Sequence, residues 1–319
     1  MKSRNVLSAL IIGLAALPTA GKAAQRWSIA TSSTGSGPYI VGSAIAQTVD
    51  RNQDELDVSA QTSGGYNDNL GLVAQGNVNV GLTLLSELGD AWRGQGKFEK
   101  LPNAKTMFSP LRRLFPVTTA TLQCVVRADS GIRTFADLKG KRLNINVPAT
   151  ATQANNLALI KAFGMKPSDF TLLEIATSGS YDAVANGVAD ATCNGQPMPS
   201  GSIEQLAATT PVRILPIPDD VFKKMSKAYH NTPIRVTIPA NTYPGQAKDV
   251  KTLANPEVLF VRKDADEDAV YTFTKAYWKG KRPSNPAFND VTITNALIDV
   301  DPPMHPGVVR YLKEVGLLK

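Results

Sequence analysis

Few side chains in this sequence could make or break bonds, and their spacing argues for binding instead. The two histidines, His230 and His305, lie far apart, as do the two cysteines, Cys124 and Cys193. No C-x-x-C or H-E-x-x-H spacing offers a zinc site. No serine sits in a G-x-S-x-G elbow that would present a nucleophile to either histidine. His230 falls in the turn-rich Tyr229-His230-Asn231-Thr232-Pro233, and His305 in Met304-His305-Pro306-Gly307. There an N-terminal contact on the last helix, with Pro306 in its first turn, is the structural expectation. An exported hydrolase with His305 as base is an alternative that no nucleophile motif supports.

Small-residue loops recur instead. They are Thr31 to Pro38, Thr62-Ser63-Gly64-Gly65, Pro148-Ala149-Thr150-Ala151-Thr152 and Ser178-Gly179-Ser180. Glycine lets backbone N–H groups approach a guest, and a following helix presents unpaired donors. A helix N-terminus attracts a carboxylate by about 0.3–1 kcal/mol, and several converging donors could reach micromolar binding, about −8 kcal/mol. Each loop alone is equally an ordinary turn in which Ser or Thr caps a helix; repetition in both halves favours a ligand site. Thr34-Gly35-Ser36-Gly37 lacks the lysine of a phosphate loop, and G-x-G-x-x-G is absent. Tyr39 and Tyr66 directly follow the first two loops, where they can cover a guest or pack on the helix. No arginine lies in any loop, so an acid would be held by amides and hydroxyls, or by an arginine from elsewhere such as Arg93 or Arg235.

The elements that must position these loops alternate. Trp27 to Ala30 reads as a strand, and Val41, Ala44, Ile45 and Val49 recur at helical spacing. Asp57 to Gln61 is a strand, Leu70 to Val73 helical, and Val78 to Leu82 a strand. The order repeats: strand Arg142 to Val147, a helix ending at Gly164, strand Phe170 to Ile175, helix Tyr181 to Asn186, strand Val188 to Cys193. The wording echoes too, AQGNVNVG at 74–81 against ANGVADAT at 185–192. A period above 100 residues means two similar lobes rather than a solenoid. Strand–helix alternation predicts α/β halves with mainly parallel sheets, whose ligands sit beyond the strand ends. Two extended runs, 119–128 and 256–263, are expected to cross between lobe 1 (24–118 plus 264–319) and lobe 2 (129–255). Asp266 to Lys279 reads as a helix returning to lobe 1. Cys124 and Cys193 each belong to a strand-like run, so a disulfide or two buried thiols are both open.

Of the 319 residues, 43% are hydrophobic and 19% charged, which excludes a disordered chain. Heptads are absent. Lys2 and Arg4, the apolar run Val6 to Leu17, Pro18 and Gly21-Lys22-Ala23 follow the grammar of a secretory signal peptide over 1–23. The run is too short to span a bilayer. Cleavage removes Lys2, Arg4 and Lys22 and takes the formal net charge from +7 to +4. The remaining bases are scattered, unlike a nucleic-acid stripe. A soluble exported monomer without cofactor or nucleic-acid partner is expected.

In order and spacing the chain resembles the TAXI-type solute-binding proteins of TRAP (tripartite ATP-independent periplasmic) transporters. The likeness rests on IATSSTGSGPYIVGSAIAQTV, QTSGGYNDNLGLVAQGNVNVGL, VVRADSGIRTFADLKGKRLNINVPATATQ, GQPMPSGSIEQLAATTPVRILPI, IPANTYPGQAKDVKTLANPEVLFVRKD and the tail PPMHPGVVRYLKEVGLLK. The resemblance implies a type II periplasmic-binding-protein fold, two α/β lobes joined by two crossing strands with a ligand cleft between. It implies capture of a small organic anion, dicarboxylate or glutamate-like, and delivery to ion-gradient-driven TRAP membrane subunits. An ABC importer or an exported ligand sensor is the alternative use of the fold. The first ligand loop maps to Ser33, Thr34, Gly35 and Tyr39. The second maps to Ser63, Gly64 and Asn67, with Thr83 on the next strand. The third maps to Ala149, Thr150 and Thr152, and a glycine–x–proline stretch to Gly195, Gln196 and Pro197. The chain departs from the family in its first loop, which lacks the usual Gly-Gly and tyrosine pair, and in its third, where Ala149 and Ala151 replace glycines.

Overall fold

The computed structural model describes residues 24–34, 36–148, 150–284, 286–289 and 291–319. The expected signal peptide lies outside the described residues, as do two of the expected site residues, Gly35 and Ala149.

Strands β1 (Gln25–Ala30), β2 (Leu56–Gln61) and β3 (Val80–Leu84) are parallel neighbours, joined by α1 (Gly37–Arg51) and α2 (Tyr66–Ala74). Helices α3 (Leu85–Arg93) and α4 (Ala104–Phe108) lead into the long β4 (Leu111–Arg127). The motif then recurs as β5 (Arg142–Asn144), α5 (Ala151–Ala162), β6 (Thr171–Leu173), α6 (Thr177–Ala185) and β7 (Ala191–Gln196), with β5 parallel to both β6 and β7. Next come α7 (Gly201–Thr209), β8 (Val212–Leu215), α8 (Asp219–Ala228), β9 (Ile234–Ile238) and β10 (Val250–Arg262). Helices α9 (Glu267–Lys279) and α10 (Pro306–Glu314) close the chain. One sheet runs through the molecule in the order β2-β1-β3-β10-β4-β7-β5-β6, with β8 on β4 and β9 on β10.

Local chemistry explains the helix ends. Ser36 caps α1 by accepting from the Tyr39 amide, and Asp266 caps α9 by accepting from Ala269 at 2.8 Å. Buried Val41, Ile45 and Val49 lie one turn apart on α1. The echoed sequences prove to be matching helix stops. Gly76 (φ 78°) and Gly187 (φ 67°) take the left-handed conformation after α2 and α6. Asn77 N–H then donates to Leu72 and Val188 N–H to Ala183, the reciprocal closure that glycine permits.

Apolar burial falls into two main bodies. One gathers Trp27, Ile45, Phe115, Phe273 and Tyr277, from residues at 27–117 and 259–312. The other gathers Cys124, Phe135, Leu143, Ile160 and Met225, from 122–253. Each large side chain buried there contributes about 1.5–3 kcal/mol. β4 and β10 supply residues to both cores, and between their contributions lie 118–121 and 254–258. These two strands pair antiparallel, with register shifts between Glu257 and Val258 and between Val258 and Phe260. Pro116 and Pro256, which cannot donate to a ladder, sit at this irregular stretch.

Several expectations change in detail. The crossing runs expected at 119–128 and 256–263 are parts of longer strands, because the prolines fall at irregular pairings instead of ending them. The fourth small loop does not exist: Ser178-Gly179-Ser180 is the first part of α6, where Ser180 Oγ donates back to Thr177 O at 2.9 Å. β5 stops at Asn144 rather than Val147, because Asn146 turns left-handed (φ 76°) and the Asn144 side chain takes over the Ile175 amide at 2.9 Å. Cys124 and Cys193, directly opposite on β4 and β7 with Cα atoms 3.9 Å apart, form a disulfide.

Candidate functional site: a gap between the two cores

Side chains alternate along a strand, so Leu253, Asn255 and Glu257 of β10 share one face, and so do Leu122, Ala120 and Thr118 of β4. Asn255 is paired with Ala120, and Glu257 with Thr118. The first of these rungs floors a cavity. Its walls are Tyr66 at the start of α2, Leu84 at the end of β3, Ala151, Thr152 and Asn155 from α5, Gly195 near the end of β7, and Met225 and Tyr229 from the end of α8. The opening residues of a helix from each half therefore line one space. The room open to the centre of a water-sized sphere is about 60 Å³. One water needs about 10–15 Å³ by that measure, whereas small-molecule pockets run to about 300–1,000 Å³. The space as it stands is smaller than small-molecule pockets usually are.

Contacts cross the gap. His230, just past α8, approaches Asp90 of α3 with Nε2 3.6 Å from the carboxylate. Burial pushes the neighbouring Tyr229 hydroxyl well up, and the charges of Glu87 and Asp90 on α3 add to the effect. Lys97 neutralises Glu87 at 2.5 Å.

Beyond the floor lies a buried acid. Glu257 is 3% exposed and accepts from the hydroxyls of Tyr66 and Thr118. Burial pushes its carboxyl above the ordinary range, and the two hydroxyl bonds only partly offset this. Tyr66 is pushed well up as well, by burial and then by Glu257. Nearby polar atoms lack partners among the described residues: Thr83 Oγ1 and Asn255 Oδ1 are buried and unbonded.

Two asparagines hold the wall in register. Asn69 of α2 donates to Thr31 O at 2.9 Å and Leu82 O at 2.7 Å, tying β1 to β3. Asn156 of α5 donates to Cys193 O at 2.9 Å, Thr152 O at 3.0 Å and Ile145 O at 3.4 Å, tying the end of β5 to β7. The halves thus use the same device at the same place.

A family model, described as the NMT1-like family, matches residues 29–316. The chain belongs to the NMT1-like family. It is similar to the solved aliphatic sulphonate binding protein SsuA of Escherichia coli (15% identity over 80% of this chain and 68% of that one, TM-score 0.48). It is similar also to a TctC solute binding protein from Polaromonas (13%, 91% and 88%, TM-score 0.49) and to the second substrate binding domain of Lactococcus lactis GlnP (12%, 81% and 89%, TM-score 0.45). This NMT1-like chain has two α/β halves that share one mixed sheet through the paired central strands β4 and β10.

The structure brings Thr152 and Gly195 to the cavity wall, together with Tyr66. Thr83 is fully buried on β3. Thr150 caps α5, accepting from Gln153 N–H at 3.2 Å and donating to Val147 O at 2.8 Å. Ser63 Oγ is taken up by Asn69 at 2.6 Å, and Gly64 N–H by Asp68 at 2.9 Å. Ser33, Thr34 and Asn67 are exposed, Tyr39 is half-buried, and among the described residues none of the first loop lines the cavity. Gln196 and Pro197 are half-buried beside Gln123 rather than in the wall. Arg93 is engaged by Asp90, Asp301 and Gln95, and Arg235 by Asp219 and Thr252 O. Neither arginine lines the cavity. His305 caps α10 through Nδ1 to Gly307 N–H at 3.2 Å, and burial lowers its pKa. Sequence reasoning missed Glu257, Asn255 and the contribution of α8. Glu257 had a signal: it is the one acid within the strand VKTLANPEVLFVR.

Proposed function

We propose that this chain is an extracytoplasmic solute-binding protein that closes over a small organic anion, dicarboxylate or glutamate-like, and delivers it to TRAP-type membrane subunits. In this reading lobe 1 is 24–118 plus 264–319, lobe 2 is 129–255, and 119–128 with 256–263 form the hinge. The observation that carries it is the cavity itself, where the first turns of α2 and α5 meet over the strands that join two separate cores. The backbone donors of those turns, with Thr152 and Asn155, supply hydrogen bonds to an acid without a lining arginine. Irregular β4–β10 pairing gives the halves a place to bend. The disulfide suits an oxidising compartment, and among the described residues no helix is long and apolar enough to cross a membrane. The TAXI subtype, export by residues 1–23 and a monomeric state belong to the same reading.

A thermal-shift screen tests it, using succinate, 2-oxoglutarate, L-glutamate, an alkanesulfonate and neutral amino acids. Saturation at 100 times Kd stabilises by about 2.7 kcal/mol. A shift with an acid is expected. No shift with any compound refutes solute binding of this kind, and a response confined to the neutral compounds refutes the anion.

A further inference from the structure

The reading of the gap as an anion site meets an obstacle one rung below its floor. A carboxyl group lies there, that of Glu257, bonded to the hydroxyl of the wall residue Tyr66. A second carboxylate in the closed gap would face it through a medium of low dielectric. We propose that Glu257 determines the specificity of the cleft by holding a proton, which frees the Tyr66 hydroxyl hydrogen to point at the guest.

The geometry supports this on three counts. Glu257 is 3% exposed, and among the described residues no lysine, arginine or histidine pairs with it. An ionised carboxylate buried without a cation is costly enough that such groups neutralise instead. The titratable groups on the packed elements are Tyr66 and Asp68 on α2, Glu87, Asp90 and Arg93 on α3, Arg112, Arg113 and Arg127 on β4, Arg235 on β9, and Lys251 and Arg262 on β10, with Tyr229 and His230 beyond α8. Of these, Glu87 is answered by Lys97 and Asp90 by Arg93 and His230. None supplies Glu257 with a counter-charge.

The two oxygens can also serve a neutral acid, because each partner is a hydroxyl that either donates or accepts. One meets Tyr66 and the other meets Thr118. A protonated carboxyl donates through one oxygen and accepts through the other, so it can donate to Tyr66 and accept from Thr118. A phenol carries a single O–H. When Glu257 is ionised that hydrogen is committed to it, and Tyr66 offers the gap only lone pairs. When Glu257 is protonated the same hydroxyl is free to donate to an oxygen of the guest. The proton on Glu257 therefore sets whether the cleft accepts an anion or a donor.

This rests on the function proposed above, but infrared spectroscopy reads the proton without any guest. In wild-type protein at neutral pH a carbonyl stretch of a buried protonated carboxyl is expected, and it should vanish in Glu257→Gln. An unchanged difference spectrum overturns the proposal. Should Glu257→Gln fail to fold, raising the pH of the wild type serves instead, and the same band must disappear reversibly. Calorimetry then reads the guest. With whichever acid the panel above selects, Glu257→Gln should lose the pH dependence of binding that the wild type shows. Tyr66→Phe should weaken binding about tenfold or more, as for a hydrogen bond to a charged group. Acid binding indifferent to Tyr66→Phe, or a panel in which only the neutral amino acids bind, overturns the assigned polarity. If nothing binds while the infrared band behaves as stated, the proposed function fails and the proton on Glu257 stands.

Discussion

Replacing Asn156 by Ala should loosen the second half of the molecule far more than replacing its neighbour Asn155. The Asn156 side chain is 1% exposed and gives its amide hydrogens to Cys193 O, Thr152 O and Ile145 O. One of these carbonyls lies within β7, one just past β5, and the third in the helix's own first turn. Each net hydrogen bond stabilises by about 1 kcal/mol, and a buried carbonyl left without a donor costs about 1–3 kcal/mol. Counting the two closer bonds and one stranded carbonyl, Asn156→Ala should cost about 3 kcal/mol. Asn155 lines the cavity, is half-buried, and makes no side-chain hydrogen bond among the described residues. Asn155→Ala should stay within about 0.5 kcal/mol of the wild type, as surface-like substitutions do, while changing affinity for the guest. Urea unfolding gives the totals, and amide hydrogen exchange in β5 and β7 localises the loss. If Asn156→Ala is as stable as Asn155→Ala, the tie between strand ends and α5 is not what holds this wall.

Other perturbations follow from the same contacts. The Cys124–Cys193 bridge closes a separation of 69 residues, which in the chain-entropy account is about 4 kcal/mol; the double Cys→Ser variant should lose a large part of that in urea unfolding, and a loss below about 1 kcal/mol contradicts it. Thr150→Ala should cost about 1 kcal/mol by removing the α5 cap, whereas Thr150→Asp keeps a good cap and sets a negative charge beside the gap. Calorimetry should then show weaker acid binding by Thr150→Asp in a folded protein; unchanged affinity speaks against the third loop. Glu257 has its pKa raised in the folded state, so from the ordinary carboxyl range upward the folded protein holds a proton that the unfolded chain has lost. Stability therefore falls with rising pH over that window, by about 1.4 kcal/mol per unit until the folded group itself ionises. Glu257→Gln should lack this slope in unfolding measured from pH 4 to pH 8, and parallel curves refute the raised pKa.

Much of the architecture was legible because it follows from local chemistry. Trp27 to Ala30, the Val41–Ile45–Val49 face and the glycine stops at Gly76 and Gly187 each announce an element within a few residues. The repeat of that grammar announced two halves. What failed locally did so for physical reasons. Ser178 to Ser180 look like a loop because serine and glycine are poor helix formers, yet a serine bonding back to its own turn is tolerated there. The site was less legible, because its residues converge through tertiary packing. Tyr66 and Thr152 sit on recognisable loops, but Tyr229 arrives from a helix whose sequence carries no binding signature. Asn255 and Glu257 hide in a strand that reads as pure hinge, and only the incongruity of one acid among apolar neighbours marks them. Thr150 and Ser63 show the converse: residues of the right type in the right loop are spent on capping and on fixing Asn69.

The central claim is that a guest binds in the gap between the two cores, and calorimetry on a blocked gap tests it most directly. Thr152→Phe fills the cavity from its half-buried place in the first turn of α5. The acid selected by the screen should bind the wild type with one guest per chain and should not bind the filled variant, with the far-ultraviolet circular dichroism of the two alike. Equal affinity in both would place the guest elsewhere and contradict the account.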